Sequence, residues 1–126
     1  MRLIKNKYHL YLKKSKNRGW GVFCKQKILK GRVIETSPII LIPKKHLHKF
    51  SNTAIDSYRF TYWGDTTAIV LGYSSLYNHS KNANCAWRVN RKSQTFTFYA
   101  TENIPANTEI LHDYGWDKHD YKKRGF

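Results

Sequence analysis

Three short stretches carry residue types that do chemistry. Residues 76 to 85 read LYNHSKNANC, which sets amides, an imidazole and a hydroxyl between a tyrosine and a cysteine, shortly after the apolar run AIVLG. Asn and Ser side chains compete for neighbouring backbone groups, so this stretch reads as a turn or irregular segment dense in hydrogen-bonding groups. The second is NRGWGVF, residues 17 to 23, where Gly19 and Gly21 bracket Trp20. Glycine lets backbone approach a ligand closely, so main-chain amides here can press on a small molecule beside an aromatic wall. The third is EILHDYGW, residues 109 to 116, where a strand runs into Tyr114 and offers a phenol on a fixed scaffold. Plainer roles exist for each: a packed indole in a tight turn, turn-forming asparagines, a loop-anchoring tyrosine.

The elements that must position these stretches are mostly strands. HLYL, WGVF, VIETSPIILI, YRFTYW, TTAIVL and QTFTFYA are rich in β-branched and aromatic residues, and Gly, Asn, Asp, Ser or Pro stand between them. YRFTYW and TTAIVL flank Gly64-Asp65, a hairpin signal. Helix is scarce: KKHLHKF after Pro43 and LGYSSLY before Asn78 each predict a turn or two. No repeat or linker divides the chain, so the 126 residues read as one mainly β domain with loops meeting at one site.

Only Cys24 and Cys85 are present and they form no CxxC pair, which argues against a zinc site built on paired cysteines and against a disulfide framework. No metal is expected. A reducing compartment follows, cytoplasm or the interior of a host cell. No stretch approaches the roughly 18 apolar residues of a membrane span, and the charged N-terminal sequence does not suit a signal peptide. The formal charge of +15 is uneven. Residues 1 to 18 hold seven Lys or Arg and no acid, whereas Glu102, Glu109, Asp113, Asp117 and Asp120 gather after residue 101. Such a field attracts nucleic acid or acidic protein.

Taken together, GWGVF, then NHSKNANC, then DYG, in that order, resemble the motif set of SET-domain protein lysine methyltransferases, over roughly residues 5 to 116. The chain looks most like the minimal members found in large viruses and bacteria. The resemblance implies a mainly β SET-domain fold of short β-sheets with few short helices and a C-terminal pseudoknot, with residues 117–126 as a tail. It implies S-adenosyl-L-methionine as cofactor, with Gly19, Trp20 and Gly21 along its methionine and sugar portion, Asn78 and His79 at its adenine and methionine ends, and Tyr114 facing the methyl group. Tyr58 matches a tyrosine of the lysine channel, and Tyr73 or Tyr77 is a further candidate. His112 stands where the family commonly has a phenylalanine or tyrosine that influences how many methyls are added. Trp116, His119 or Tyr121 is expected to cover the adenine, unless a second copy of the chain in a homodimer does so.

The implied substrate is a protein lysine, with a histone tail favoured. Because a chain of +15 repels a basic tail, the acids after residue 101 are expected to form the peptide groove, while the basic remainder holds DNA or nucleosome phosphates. A histone-directed enzyme would work in the nucleus. The rival reading is a catalytically inactive SET-like module that binds chromatin or nucleic acid, with salt-sensitive DNA binding and no cofactor affinity.

Overall fold

In a computed structural model of the chain, residues 6–15, 19–64 and 66–115 are described. Strand β1 (Leu10–Ser15) folds back on β2 (Gly19–Cys24) in antiparallel register from Leu10↔Cys24 to Ser15↔Gly19. The long β3 (Val33–Ile42) leads into a 3₁₀ helix (Lys44–Lys49) and a second one (Ala54–Tyr58). The hairpin β4 (Arg59–Trp63) and β5 (Thr66–Val70) follows as its sequence predicts, and then a third 3₁₀ helix (Tyr73–Leu76). Strand β6 is only Asn78–His79; β7 (Cys85–Asn90) and β8 (Thr95–Ala100) form a second hairpin; β9 (Thr108–Glu109) and β10 (Leu111–His112) close the described chain.

Two sheets result, a three-stranded one in the order β1-β2-β9 and a seven-stranded one in the order β4-β5-β3-β8-β7-β10-β6. Strand β3 joins the parts of the larger sheet, because Val33 to Pro38 pair with β8 and Ile39 to Ile42 with β5. The reason β8 is a strand is visible in TFTFYA: Phe96, Phe98 and Ala100 are buried and alternate with half-exposed residues, as a two-residue period requires. Val22, Ile28, Phe96, Phe98, Ile104 and Ile110 are fully enclosed in the core. Phe60 of β4 lies edge-on to Phe96, Phe98 and Trp87 across this core, so the larger sheet curls over its own inner face.

The C-terminal part is threaded. Strand β10 lies between β6 and β7, parallel to both, with Leu111↔Asn78, His112↔His79 and His112↔Cys85. Since β6 and β7 are consecutive, the Ser80–Asn84 connection arches over β10. The arch is bolted by side-chain and main-chain bonds: Asn84 Nδ2 donates to Glu109 O at 2.9 Å, Leu111 N–H to Asn84 Oδ1 at 2.9 Å, and Ser80 N–H to His112 O at 3.2 Å. These polar groups answer the density of asparagine in NHSKNANC: they satisfy backbone that a threaded, buried strand cannot expose to water.

Candidate active site

Beside the threaded strand, the residues after β10 turn sharply. Asp113 Oδ1 accepts the Gly115 N–H at 2.8 Å, and Gly115 has φ +77°, a conformation that favours glycine. This turn aims the Tyr114 side chain back at the body, where its phenol donates to the main-chain carbonyl of Tyr77 at 2.6 Å. His79 fixes the same residue from behind: its Nδ1 accepts the Tyr114 N–H at 2.9 Å, so that nitrogen carries no proton, and Asp113 Oδ1 lies 3.6 Å away.

Asn78 ties a different pair of segments. Its Nδ2 donates to Trp20 O at 3.2 Å and to Glu109 Oε2 at 2.7 Å, joining the GWG turn to β9. Gly21 is buried against these groups, and a Cβ there would collide with the Glu109 carboxylate and crowd the Asn78 amide. Glycine at position 21 therefore leaves room for the Glu109 carboxylate and the Asn78 amide, which a Cβ would displace. Glu109, expected in a peptide groove, turns inward instead.

Trp20, Tyr58, Tyr77, Asn78, His112 and Tyr114 line one cleft of about 550 Å³. Trp20 and Tyr58 are 55% and 49% exposed and stand at its rim. Tyr77 is enclosed, and its phenol reaches Glu35 Oε1 at 3.0 Å, so it gives the cleft its main chain rather than its hydroxyl. Burial first, and then the negative charge of Glu35, push the Tyr77 phenol well above its ordinary pKa. Gly19 is exposed and open-sided, and His79 and Gly21 support the cleft from behind. Tyr73 falls elsewhere. Its N–H donates to Glu35 Oε2 at 3.0 Å, and it borders a second hollow with Gly72 and Leu76, because the 3₁₀ turn sends Tyr73 and Tyr77 to different sides. Trp116, His119 and Tyr121 lie outside the described residues, as do Asp117 and Asp120.

The structure adds residues the motifs do not announce. Phe60 and Trp87 line the cleft, and Phe60 stacks face-on with His112 at 5.6 Å and 11°. His112 also packs against Tyr114 at 4.6 Å, and its Nδ1 is buried without a hydrogen-bond partner. Burial, and then the neighbouring His79, lower the His112 pKa to about 4, so the ring is neutral at physiological pH. The cleft thus has aromatic walls, main-chain carbonyls and a rigidly oriented phenol, which suits a small ligand meeting a narrow side chain.

The SET domain family model matches residues 19–115. A curated Schizosaccharomyces pombe protein, "Histone-lysine N-methyltransferase, H3 lysine-37 specific", is 24% identical over 107 residues, which are 84% of this chain and 73% of that protein. A solved Plasmodium falciparum protein, assigned as a candidate histone methyltransferase, is 30% identical with a TM-score of 0.69, over 87% of this chain and 96% of that one. A humanized Chaetomium thermophilum Polycomb Repressive Complex 2 bound to the inhibitor GSK126 shares the fold at a TM-score of 0.72 and 21% identity, covering 84% of this chain and 15% of that one.

Proposed function

The chain belongs to the SET-domain family of lysine methyltransferases, and from that membership we propose that it methylates a protein lysine with S-adenosylmethionine as donor. The observation that carries this reading is the Tyr114 phenol, locked by the Tyr77 carbonyl beside a cleft whose other walls are aromatic. The residues fit the cofactor: the Trp20 indole gives a stacking face, the Ser74–Tyr77 main chain and Asn78 give polar partners, and about 550 Å³ is the size of a small-molecule site.

When bound, the cofactor would supply a sulfonium methyl carbon for in-line attack by a neutral lysine amine, the C–S bonding pair leaving with the thioether sulfur as the N–C bond forms. The chain's own part is to strip, aim and enclose that amine. Lysine is almost wholly protonated at neutral pH, and with a sulfonium already bound a second positive charge within a cleft walled by Phe60, Trp87 and Tyr58 is disfavoured, so its proton passes to solvent on entry. Tyr114 donates its proton to Tyr77, which leaves the phenol oxygen as an acceptor for an amine N–H. Alignment supplies most of the rate on this account.

A histone tail is the proposed substrate, supported by the names of the relatives, and an intracellular, histone-directed site of action goes with it; among the described residues no helix is long and apolar enough to cross a membrane. Nucleic-acid contact is proposed alongside catalysis. Its support is Arg91, whose guanidinium lies 4.1 Å over the 61%-exposed Trp63, in a region where residues 66 to 101 contain no acid. Transfer of labelled methyl to core histones, compared between wild type and Tyr114→Phe, tests the reading. Label lost in the variant supports it; absence of both transfer and cofactor binding in wild type refutes it in favour of a binding module.

A further inference from the structure

Burying a carboxylate is costly, and this chain does it once among the described residues. Glu35 is 3% exposed on the core side of β3. None of the described Lys, Arg or His side chains forms an ion pair with it. Both oxygens accept from donors instead: Oε1 from the Tyr77 phenol and Oε2 from the Tyr73 N–H, each at 3.0 Å. Burial raises the Glu35 pKa above the ordinary carboxylate value, and the bonds from Tyr77, Tyr73 and Ser74 pull it back toward the ionised form.

The location gives this charge a use. The segment Tyr73–Tyr77 separates Glu35 from the cleft: Ser74, Leu76 and Tyr77 line the cleft in front, and Glu35, Gly72 and Tyr73 border the hollow behind. Gly72 has φ +106°, and a Cβ there would lie 2.8 Å from Glu35 Oε2, so the segment is shaped to admit the carboxylate. The Tyr77 that Glu35 holds by its phenol is the residue whose carbonyl holds Tyr114.

We propose that Glu35 is a positioning residue that fixes Tyr77, and through it Tyr114, and that its buried negative charge makes the cleft favour a cationic ligand over its neutral counterpart. The inference rests on the cofactor reading above, in which the pair is sulfonium S-adenosylmethionine and thioether S-adenosylhomocysteine. Methyl transfer would move the positive charge from sulfur to the methylated nitrogen, so the cofactor product, now a neutral thioether, would lose the attraction while the methylated amine gives its proton to solvent as it leaves. At an effective dielectric of about 20, an opposite charge held behind the wall of the cleft alters an affinity on the order of tenfold.

Calorimetry with both ligands on the full chain tests this. Glu35→Gln keeps an acceptor for Tyr77 and removes the charge. It should weaken S-adenosylmethionine on the order of tenfold and leave S-adenosylhomocysteine within about twofold; equal weakening of both overturns the inference. Tyr77→Phe loses the bond to Glu35 but keeps the main-chain carbonyl, so it should lower kcat through a loosened Tyr114; an unchanged kcat overturns the positioning role. In wild type, a buried charge resists screening, so the ratio of the two dissociation constants should stay constant between about 0.05 and 0.5 M salt. A ratio drifting toward the thioether would assign the preference to exposed acids such as Asp113 and overturn the inference even if Glu35→Gln did not fold. Wild type that binds neither ligand overturns the cofactor reading itself, and this inference with it.

Discussion

The imidazole of His79 and the main chain of Tyr114 are joined at 2.9 Å, with the ring as acceptor and the peptide N–H as donor. A side chain of the NH strand therefore sets the backbone of the tyrosine, while the carbonyl just before that strand, at Tyr77, sets its phenol at 2.6 Å. One residue is gripped at both ends by two positions, 77 and 79, of one short segment.

Tyr114→Phe removes the grip on the phenol and the acceptor for the amine. We expect methyl transfer to histone to fall on the order of 100-fold, with S-adenosylmethionine affinity changed little. Retained transfer in a radiolabel assay would remove Tyr114 from the chemistry.

Asn84→Ala should destabilise the fold by roughly 2–4 kcal/mol, because it leaves both the Leu111 N–H and the Glu109 carbonyl without their 2.9 Å partners in a buried strand. Asn84→Asp keeps the acceptor and should lose less. Urea titration of both variants measures the difference, and a loss below about 0.5 kcal/mol in the alanine variant would mean that water replaces the amide.

Stability should fall in mild acid because of His112. Its pKa is lowered to about 4 by burial and then by His79, whereas an unfolded histidine takes up its proton near 6.5. Above that value the term is fully present; as pH falls from about 6.5 toward 4 the unfolded state alone is protonated, and about 3 kcal/mol is lost. Glu35, shifted upward, opposes this in part. The difference between wild type and His112→Phe in thermal melts across that window isolates the histidine, and parallel curves would contradict its buried neutral state.

Gly21→Ala should displace the Glu109 carboxylate and break its bond to Asn78, at a cost of about 1 kcal/mol, since its Cβ meets these two side-chain ends rather than open cleft. A stable variant that loses only cofactor affinity would instead make Gly21 a ligand contact.

Arg91→Ala should weaken duplex DNA binding and take about one unit off the slope of log affinity against log salt. Trp63→Ala should weaken it too, because the guanidinium loses the ring 4.1 Å beneath it. Fluorescence anisotropy across a salt series reads both, and unchanged slopes would detach this pair from nucleic acid.

Much of the larger sheet is legible in sequence because its strands carry their own signal: TFTFYA alternates, and VIETSPIILI is rich in β-branched residues. CAWRVN is less legible, since Arg88 and Asn90 dilute its pattern and its hairpin partner does the defining. Strands of two residues, Asn78–His79, Thr108–Glu109 and Leu111–His112, exist only through partners far along the chain, and of these the strand running into Tyr114 is the one the residues of EILHDYGW announce. The site follows the same division. The order of GWG, NHS and DYG points to the cleft, yet Glu35 reads as an ordinary strand acid until Tyr77 and Tyr73 are seen to enclose it.

The arch over β10 also decides when the molecule can act. Strand β10 takes its place beneath the Ser80–Asn84 arch, between β6 and β7, and its pairing with β6 spans more than thirty residues, so it is slow to form and costly to nucleate. Tyr114, two residues beyond, reaches the Tyr77 carbonyl only once that place is filled. If the proposed methyl transfer holds, forms of the protein that lack the threaded segment would be silent rather than slow, because Tyr114 would not be held by the Tyr77 carbonyl.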